Sequence, residues 1–428
     1  MTWEWVTLGE ILLRQSNKKV VQQGWSPKCH TYPAGEGRWG VLKTTAIQPG
    51  RFEPTHNKEL PGSLVPRPQI EVQPGDLLIT CAGPRSRCGV PALVRSTPKN
   101  LMMSGKMYRL RPNQRIDSRF LELYLLSDEA QTRIDEMKTG ISDSGLNLTH
   151  GRFVELPVPL PPLEEQRRIL AILEDQLSRL DAADKYLADG ERHIQAWRAT
   201  VIDEVLWRGN PPMRPIRELL REGMRNGRSD RAVKGQERGT RTLTLTAVTQ
   251  NSFTDEFTKE TVTPPSVADG LWLEPGDIFV QRANTPELVG TSARYEGDRK
   301  WAIFPDLLIR LRPDETRIRG EYLVAALRSE RTHRQLRAKA KGLAGSMPKI
   351  DQRAVAETCV PCPELGSQIE AVIALNEIAD AASALSRDVR AQRRRSAALR
   401  RSLLAAAFSG RLTGSSSEMS VVEGRIEA

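Results

Sequence analysis

Two short motifs in this sequence have residue types and spacing that could support chemistry. Asn210-Pro211-Pro212-Met213 has the form of the catalytic motif of adenine methyltransferases, but that motif carries an aromatic residue in its fourth place. Met213 has no ring that could stack on a flipped base. Cys359-Val360-Pro361-Cys362 has the spacing of a zinc-binding pair, yet no second pair follows it at a suitable distance. We therefore expect neither methyl transfer nor metal binding at these motifs.

The remaining candidates for catalysis lack partners in the sequence. The five histidines, at positions 30, 56, 150, 193 and 333, are scattered, and neither Cys81 nor Cys88 has a histidine nearby. Asp306 is not followed by the Glu-x-Lys of a nuclease centre, and the sequence contains no Walker-type glycine loop. The sequence thus predicts a non-catalytic chain that binds no metal and no cofactor of its own.

The composition favours a polyanionic partner. The chain has 63 Lys and Arg against 53 Asp and Glu, a net charge of +10, and 15 of the basic residues are lysines, which leaves 63 − 15 = 48 arginines. The planar arginine side chain suits phosphate oxygens and guanine edges, although coding bias alone also produces arginine-rich chains. Five cysteines without framework spacing indicate reduced thiols. With no signal peptide and no long apolar run, we expect a cytoplasmic chain.

An internal repeat organises the chain. Segments of the first half recur in the second half at an offset of 201 residues, which becomes 202 after one insertion. The matching pairs include Thr45-Ala46-Ile47 with Thr246-Ala247-Val248, Pro74-Gly75-Asp76-Leu77 with Pro275-Gly276-Asp277-Ile278, Val158-Pro159 with Val360-Pro361, and Gln166 with Gln368. Because chance similarity does not keep one register over so long a stretch, we interpret the chain as a tandem duplication.

Each half has the same order of predicted elements. A globular region comes first, with β-like runs at Asp76–Cys81 and Asp277–Gln281 that follow turn signals. A helix is predicted at Ser118–Met137 in the first half and at Arg319–Lys339 in the second. A Gly/Ser loop, a Pro-rich strand and a long helix follow in both halves.

The long helices carry matching apolar seams. The first helix begins at Glu164-Glu165, acids that suit the positive end of a helix, and continues to about Trp207. Apolar residues recur at every third or fourth position, as in a coiled coil. Packing of each helix on its own globular region alone is disfavoured, because charged residues leave only a narrow apolar stripe. The predicted helix–helix or partner interface consists of Leu173, Leu180, Leu187, Ile194, Val201, Leu375, Leu385, Val389, Leu399 and Leu403.

Basic segments of the globular regions are candidates for nucleic-acid contact. Residues 214–241 hold nine basic and four acidic residues, which predicts either a solvated loop or a phosphate-contacting loop that orders on DNA. Loops 83–89 and 282–286 lie at equivalent places in the repeat but differ in sequence, as expected if the two loops contact different base pairs. The predicted DNA-contacting residues are Lys43, Thr44, Arg51, Arg85, Arg87, Arg228, Arg231, Arg238, Arg241, Arg282, Asn284 and Thr285.

Along nearly its whole length the sequence resembles the specificity (S) subunits of type I restriction–modification systems. The resemblance is carried by LPVPLPPLEEQRRILAIL at 156–173, LRRSLLAAAFSGRL at 399–412 and VTLGEIL at 6–12. The junction in the second half departs from the family pattern, with Gly366-Ser367 where the first half has Glu164-Glu165. The first long helix also ends without an AFSG segment.

The resemblance implies a DNA-binding subunit that reads a split, asymmetric site. Each recognition domain would read one half-site, and the helical pair would set the gap. The subunit would assemble with two N6-adenine methyltransferase subunits and two ATP-dependent restriction and translocation subunits, which would hold S-adenosylmethionine, ATP and magnesium. The alternative is a coiled-coil scaffold that reads no sequence.

The predicted fold class is α+β. We expect two pseudo-twofold-related α/β target-recognition domains, separated by a pair of long helices that form an antiparallel coiled coil. The predicted boundaries are residues 1–160 for the first domain, 161–209 for the first long helix, 210–362 for the second domain, 363–412 for the second long helix, and 413–428 for a disordered tail.

Overall fold

The computed structural model describes residues 3–140, 142–233, 239–342 and 347–413. The predicted tail lies outside these ranges from residue 414 onward. The chain divides into two compact units, one made of residues 1–187 and 391–428 and the other of residues 188–390. Both units mix helices with strands, which confirms the predicted α+β class. Within the described ranges, no helix is long and apolar enough to cross a membrane.

The first unit is rich in short strands. Its helices are α1 (Ser118–Leu125), α2 (Asp128–Met137), α3 (His150–Phe153) and the start of α4 (Leu163–Leu206). Its strands are β1 (Glu4–Thr7), β2 (Val21–Gln23), β3 (Gly40–Leu42), β4 (Ile47–Gln48), β5 (Arg51–Phe52), β6 (Asn57–Glu59), β7 (Leu77–Thr80), β8 (Ala82–Gly83), β9 (Pro91–Leu93), β10 (Leu101–Met102), β11 (Met107–Leu110), β12 (Lys138–Thr139), β13 (Leu146–Leu148) and β14 (Pro157–Leu160).

The second unit repeats most of this order. Its strands are β15 (Met213–Pro215), β16 (Arg225–Asn226), β17 (Thr240–Leu243), β18 (Thr258–Thr261), β19 (Ile278–Gln281), β20 (Ser292–Arg294), β21 (Leu308–Leu311) and β22 (Cys359–Pro361). Its helices are α5 (Leu245–Thr249), α6 (Pro265–Ala268), α7 (Gly320–Arg328), α8 (Glu330–Ala338), α9 (Gln352–Ala356) and α10 (Leu365–Phe408), the last of which continues into the residues of the first unit.

The two units share two of their sheets. An antiparallel four-stranded sheet has the order β2-β11-β7-β9 in the first unit and β16-β21-β19-β20 in the second. The Pro-rich strands β14 and β22 pair antiparallel with β1 and β15, the strands that begin each globular region. Proline is tolerated there because each is an edge strand of a two-stranded sheet. The topology therefore repeats along with the sequence.

The residues that repeat in sequence hold the shared sheets of each unit together. We call this repeated arrangement of sheets and buried contacts the frame. In the Pro-Gly-Asp turns, Gly75 and Gly276 have φ angles of 90° and 91°, a conformation that favours glycine. The buried Asp76 carboxylate accepts a hydrogen bond from Arg111 at 2.7 Å, and Asp277 accepts one from Arg312 at 2.6 Å. The repeated Pro-Gly-Asp and Leu-Arg-Pro motifs are thus two ends of one ion pair in each unit.

The helix predicted after the sheet in each half is broken into two. In the first unit, the side chain of Ser127 accepts a hydrogen bond from the Ala130 N–H and caps α2. In the second unit, Ser329 caps α8 in the same way through the Thr332 N–H. Serine competes for backbone donors and favours helix N-termini over helix interiors, so the prediction of one continuous helix was wrong in both halves.

Parts of α4 and α10 run antiparallel within the first unit. Asp181 on α4 forms an ion pair with Arg400 on α10 at 2.5 Å, while Glu165, earlier on α4, contacts Thr413. Their apolar faces join a core that includes α1. The predicted seam residues that belong to this core are Leu173, Leu180, Leu399 and Leu403.

The second unit holds the other halves of the two long helices. Glu191 of α4 accepts a hydrogen bond from Ser386 of α10 at 3.2 Å. The seam of α10 passes through Ala382 and Ser386, which are buried, whereas the predicted seam residue Leu385 is 48% exposed. The small residues fit the interior of the seam here, and the prediction of Leu385 as an interface residue, which rested on its spacing in the seam, was wrong. The other predicted interface residues, Leu187, Ile194, Val201, Leu375 and Val389, are partly buried.

A groove of about 490 Å³ lies in the second unit between α4, α7 and α10. Ile202, Ala325 and Ala379 form part of its apolar lining, and Arg198 reaches it from α4. At an offset of 202, the counterpart of Ala379 in the first unit is Leu177, which is 5% exposed and lies in the apolar core. The shorter alanine side chain leaves space in the second unit that a leucine fills in the first.

Candidate nucleic-acid interface

The predicted arginines of loop 83–89 have protein partners. Arg85 is exposed and bridges Asp135 and Asp143, so two carboxylates neutralise its charge. Arg87 donates hydrogen bonds to the carbonyl oxygens of Thr44 and Ile47, both at 2.7 Å, and to Gln48 at 3.0 Å. The donors of Arg87 are therefore engaged in holding its loop against the segment 44–48. DNA contact by either arginine remains a prediction.

The other predicted DNA-contacting residues of the first unit, Lys43, Thr44 and Arg51, lie close together in the sequence. The backbone N–H of Lys43 donates to the His56 carbonyl, and the Thr44 carbonyl accepts the Arg87 bond. Arg51 is the most exposed of the set, with 73% of its side chain accessible and a surface ion pair to Glu53. An exposed pair of this kind contributes little to stability, so Arg51 can reorient towards a phosphate at small cost.

In the second unit, the basic segment contains several ion pairs. Arg228 donates to Asp230 at 2.7 Å, and this bond, with one from Thr263, lowers the pKa of the Asp230 carboxyl. Arg241 pairs with Asp255 at 2.9 Å and lies over the ring of Trp301. Arg231 is exposed, and Arg238 lies outside the described residues.

Loop 282–286 of the second unit is fixed by its own polar residues. Asn284 donates to the Gln281 side chain at 2.6 Å and accepts from the backbone N–H of Thr285 at 2.8 Å. Arg282 is partly buried, and its backbone bonds Leu307 and Ile350. Both ends of the Asn284 amide are used inside the loop, and the side chain of the exposed Thr285 bonds the Glu287 carboxylate.

A further exposed segment of the first unit, residues 28–32, was not identified from the sequence. It lies along β6, where the His30 N–H donates to the Glu59 carbonyl and the Glu59 N–H donates to the Tyr32 carbonyl, both at 3.0 Å. The His30 and Tyr32 rings stack with centroids 4.9 Å apart. Aromatic residues mixed with Lys28 and Arg38 were the signal available in the sequence, but the pairing with β6 depends on the fold.

The segment after β2 has a counterpart after β16. A side chain at Gly24 would collide with the Met103 carbonyl, and one at Gly227 with the Phe304 carbonyl. The next residues, Trp25 and Arg228, donate to those same two carbonyls at 2.9 Å. In both units, the chain that follows this strand therefore passes equally close to a neighbouring backbone segment. Beyond it the sequences differ: the first is aromatic and basic, and the second is basic.

The two motifs that could support chemistry, residues 210–213 and 359–362, meet where β15 pairs with β22. Met213 lies on β15, is 44% exposed, and pairs with Pro361 of β22. Cys362 is buried next to this strand, and burial raises the pKa of its thiol. In the part of the chain that the structure describes, no three His, Cys, Asp or Glu residues come together as metal ligands.

Comparison with known proteins gives one consistent family. Residues 67–185 match the family described as the Type I restriction modification DNA specificity domain. Over 199 residues the chain is 37% identical to the type I restriction enzyme EcoEI specificity subunit of Escherichia coli, a match that covers 44% of this chain and 32% of that protein. The chain thus spans about a third of the length of this relative.

Two matches extend over most of the chain. The chain is 23% identical over 389 residues to the type I restriction enzyme EcoKI specificity subunit of Escherichia coli strain K12, covering 87% of this chain and 82% of that one. Its fold is similar to a solved chain described for the complex assembly and conformational transition of the type I R-M system. That likeness has a TM-score of 0.69 and 21% identity, and it covers 96% of this chain and 98% of the other.

Proposed function

Because this chain belongs to the specificity subunits of type I restriction–modification systems, we propose that it reads a split DNA site, with one half-site for each unit. The chain itself would be non-catalytic. Two methyltransferase subunits and two restriction and translocation subunits would carry out the reactions and hold S-adenosylmethionine, ATP and magnesium.

The observation that carries the proposal is a shared frame with unlike surfaces. The buried residues that repeat in sequence, such as Asp76 with Asp277 and Gln166 with Gln368, make the same contacts in both units. The exposed segments on that frame differ, as residues 25–39 and the segment after Gly227 do. Base-edge contacts carry sequence information and phosphate contacts carry orientation, so two unlike surfaces on one frame suit two unlike half-sites.

The long helices are proposed to set the gap between half-sites. Each is a single helix of 44 residues, which corresponds to about 66 Å at 1.5 Å per residue. A helix of this length without an interruption is stiff enough to act as a spacer. Since α4 and α10 pair antiparallel, a change of spacer length needs matched insertions in both.

The experiment uses the chain assembled with its partner subunits. Methylation of a library of duplexes should identify one split site, and affinity for it should fall steeply as salt rises, because phosphate contacts release counterions. Exchange of residues 210–362 for those of another specificity subunit should change one half-site only. A complex that methylates no preferred split site, or whose site is unchanged by the exchange, would contradict the proposal and favour the scaffold alternative.

A second experiment tests the spacer. Four residues inserted into α4 after Leu187 and four into α10 after Arg390 should change the gap and leave both half-sites as they were. The control is a chain with four conservative surface substitutions at the same places. Altered half-sites with an unaltered gap would contradict the spacer role.

A further inference from the structure

We propose that Lys28, His30 and Tyr32 form a surface that contacts base edges in the major groove of the first half-site. This inference rests on the proposed function and names residues for its DNA-reading surface. The His30 and Tyr32 rings stack on each other, so these two side chains project from the same side of the segment, and Lys28 is exposed two residues before them.

The segment is held in place without DNA. The His30 N–H bonds the Glu59 carbonyl, and the Glu59 N–H bonds the Tyr32 carbonyl, which ties residues 30–32 to β6, an edge strand of its three-stranded sheet. The next residues are tied down as well, since Ala34 N–H donates to the Asn57 side chain at 2.8 Å and Gly35 N–H to the Glu59 side chain at 3.2 Å. A DNA-contacting segment that is already held in this way loses little conformational freedom on binding.

The Tyr32 ring is exposed although it is held in position, and His30 is half-buried beneath it in the stack. Tyr32 is 52% exposed, and its ring stacks on His30 at an interplanar angle of 10°. Stacking fixes the direction of the two rings relative to each other. The tyrosine hydroxyl donates and accepts, each imidazole nitrogen does one or the other, and the Lys28 ammonium donates. These are the groups that distinguish base pairs in the major groove.

The size and position of the segment fit a groove. The major groove of B-DNA is wide enough to admit a two-stranded ribbon, and residues 30–32 are hydrogen-bonded beside β6. The counterpart segment in the second unit leaves its frame at the equivalent glycine and carries Arg228 and Arg231 instead of aromatic rings. The same place on the frame thus presents different donors and acceptors in the two units, as reading of two different half-sites requires.

The test measures discrimination by the assembled complex between duplexes that differ at single base pairs of either half-site. His30→Ala and Tyr32→Phe should each reduce discrimination at one or two base pairs of the first half-site by about tenfold, the size of one good base contact. Discrimination across the second half-site should stay unchanged. Tyr32→Phe keeps the ring and its stacking, so it tests the hydroxyl without disturbing the fold.

Thr31→Ala is the matched control, because Thr31 is exposed on the same segment but takes no part in the stack. It should leave discrimination at both half-sites unchanged. Uniform weakening on all duplexes by the His30 and Tyr32 variants would show a phosphate contact and overturn the inference, as would full retention of discrimination. Absence of discrimination by the unsubstituted complex would instead overturn the proposed function itself.

Discussion

Gln166 and Gln368 occupy the same place in the two units and make the same three hydrogen bonds. Gln166 accepts from the Asp117 N–H at 2.8 Å and donates to the Arg115 and Pro161 carbonyls, both at 2.9 Å. Gln368 accepts from the Arg319 N–H at 2.8 Å and donates to the Arg317 and Pro363 carbonyls. Both side chains are fully buried. Each glutamine joins the first turn of a long helix to the loop that precedes α1 or α7.

Replacement of Gln166 by leucine should destabilise the first unit by about 2 kcal/mol or more, because buried donors and acceptors would lose their partners. Hydrogen exchange should show faster exchange at the backbone of residues 115–120, and the thermal transition of the full chain should move down. Gln392→Leu makes the same chemical change at an exposed position of α10 and should have little effect. Equal behaviour of the two variants would contradict the role given to Gln166.

The contribution of the helix pair is tested with two leucines of α10. Leu403 is 5% exposed in the core of the first unit, so Leu403→Ala should lower the free energy of unfolding by about 2–4 kcal/mol. Leu385 is 48% exposed, so Leu385→Ala should cost well under about 1 kcal/mol. Denaturant unfolding of the full chain measures both. A larger loss from Leu385 than from Leu403 would mean that the packing of the helices is different from that described.

The groove in the second unit predicts opposite effects at two equivalent positions. Ala379→Leu should fill apolar space and raise the free energy of unfolding by about 0.5–2 kcal/mol. Leu177→Ala, the reverse change in the first unit, should create a cavity and lower it by about 2–4 kcal/mol. The two variants can be compared by thermal melting under the same conditions. Destabilisation by Ala379→Leu would show that the groove does not accept a leucine side chain.

Burial of Cys81 predicts a pH dependence of stability. Burial raises the pKa of its thiol from 9.0 to about 12, and the neighbouring Cys88 adds to the shift. The neutral thiol is favoured in the folded chain, so its contribution is complete below pH 9 and is lost as pH rises from 9 towards 12. The free energy of unfolding should fall by on the order of 1 kcal/mol per pH unit in that window.

The Cys81 effect is isolated by difference. A Cys81→Ala chain should lack this part of the pH dependence while keeping that of the buried tyrosines. Titration of unfolding by urea from pH 8 to 10.5 measures it, and superimposable profiles for the two chains would refute it.

Arg51 and Arg87 should respond differently to substitution in DNA binding. Arg51→Ala should weaken binding about equally on all duplexes and reduce the slope of log affinity against log salt by about 0.9, because one phosphate contact is removed. Arg87→Ala should lower the thermal stability of the first unit, since its side chain holds two backbone carbonyls. An unchanged salt slope for Arg51→Ala would exclude a phosphate contact there.

The frame could be predicted from the sequence because its residues act through near neighbours and repeat. Asp76 and Asp277 lie in turns that the preceding proline and glycine predict. The apolar spacing of α4 and α10 indicates long paired helices. The break at Ser127 was missed although serine is a favoured N-cap, since the apolar periodicity continued across it.

The surface residues could not be predicted in the same way. Arg87 reads as a free cation in the sequence, but its partners at residues 44–48 lie about 40 residues away along the chain. The stack of His30 on Tyr32 depends on pairing with Glu59, which no local pattern indicates. Long-range contacts of this kind decide whether a polar side chain supports the fold or faces solvent.

The first unit takes part of its core from the end of the chain. Leu403 and Phe408 of α10 pack with Phe120 of α1, whose ring lies 5.3 Å from that of Phe408. On the ribosome, residues 188–390 are all synthesised before Leu403 and Phe408 are added. The second unit can therefore fold first. The apolar face of the first unit that packs against Leu403 and Phe408 stays exposed until the C-terminal part of α10 has been synthesised.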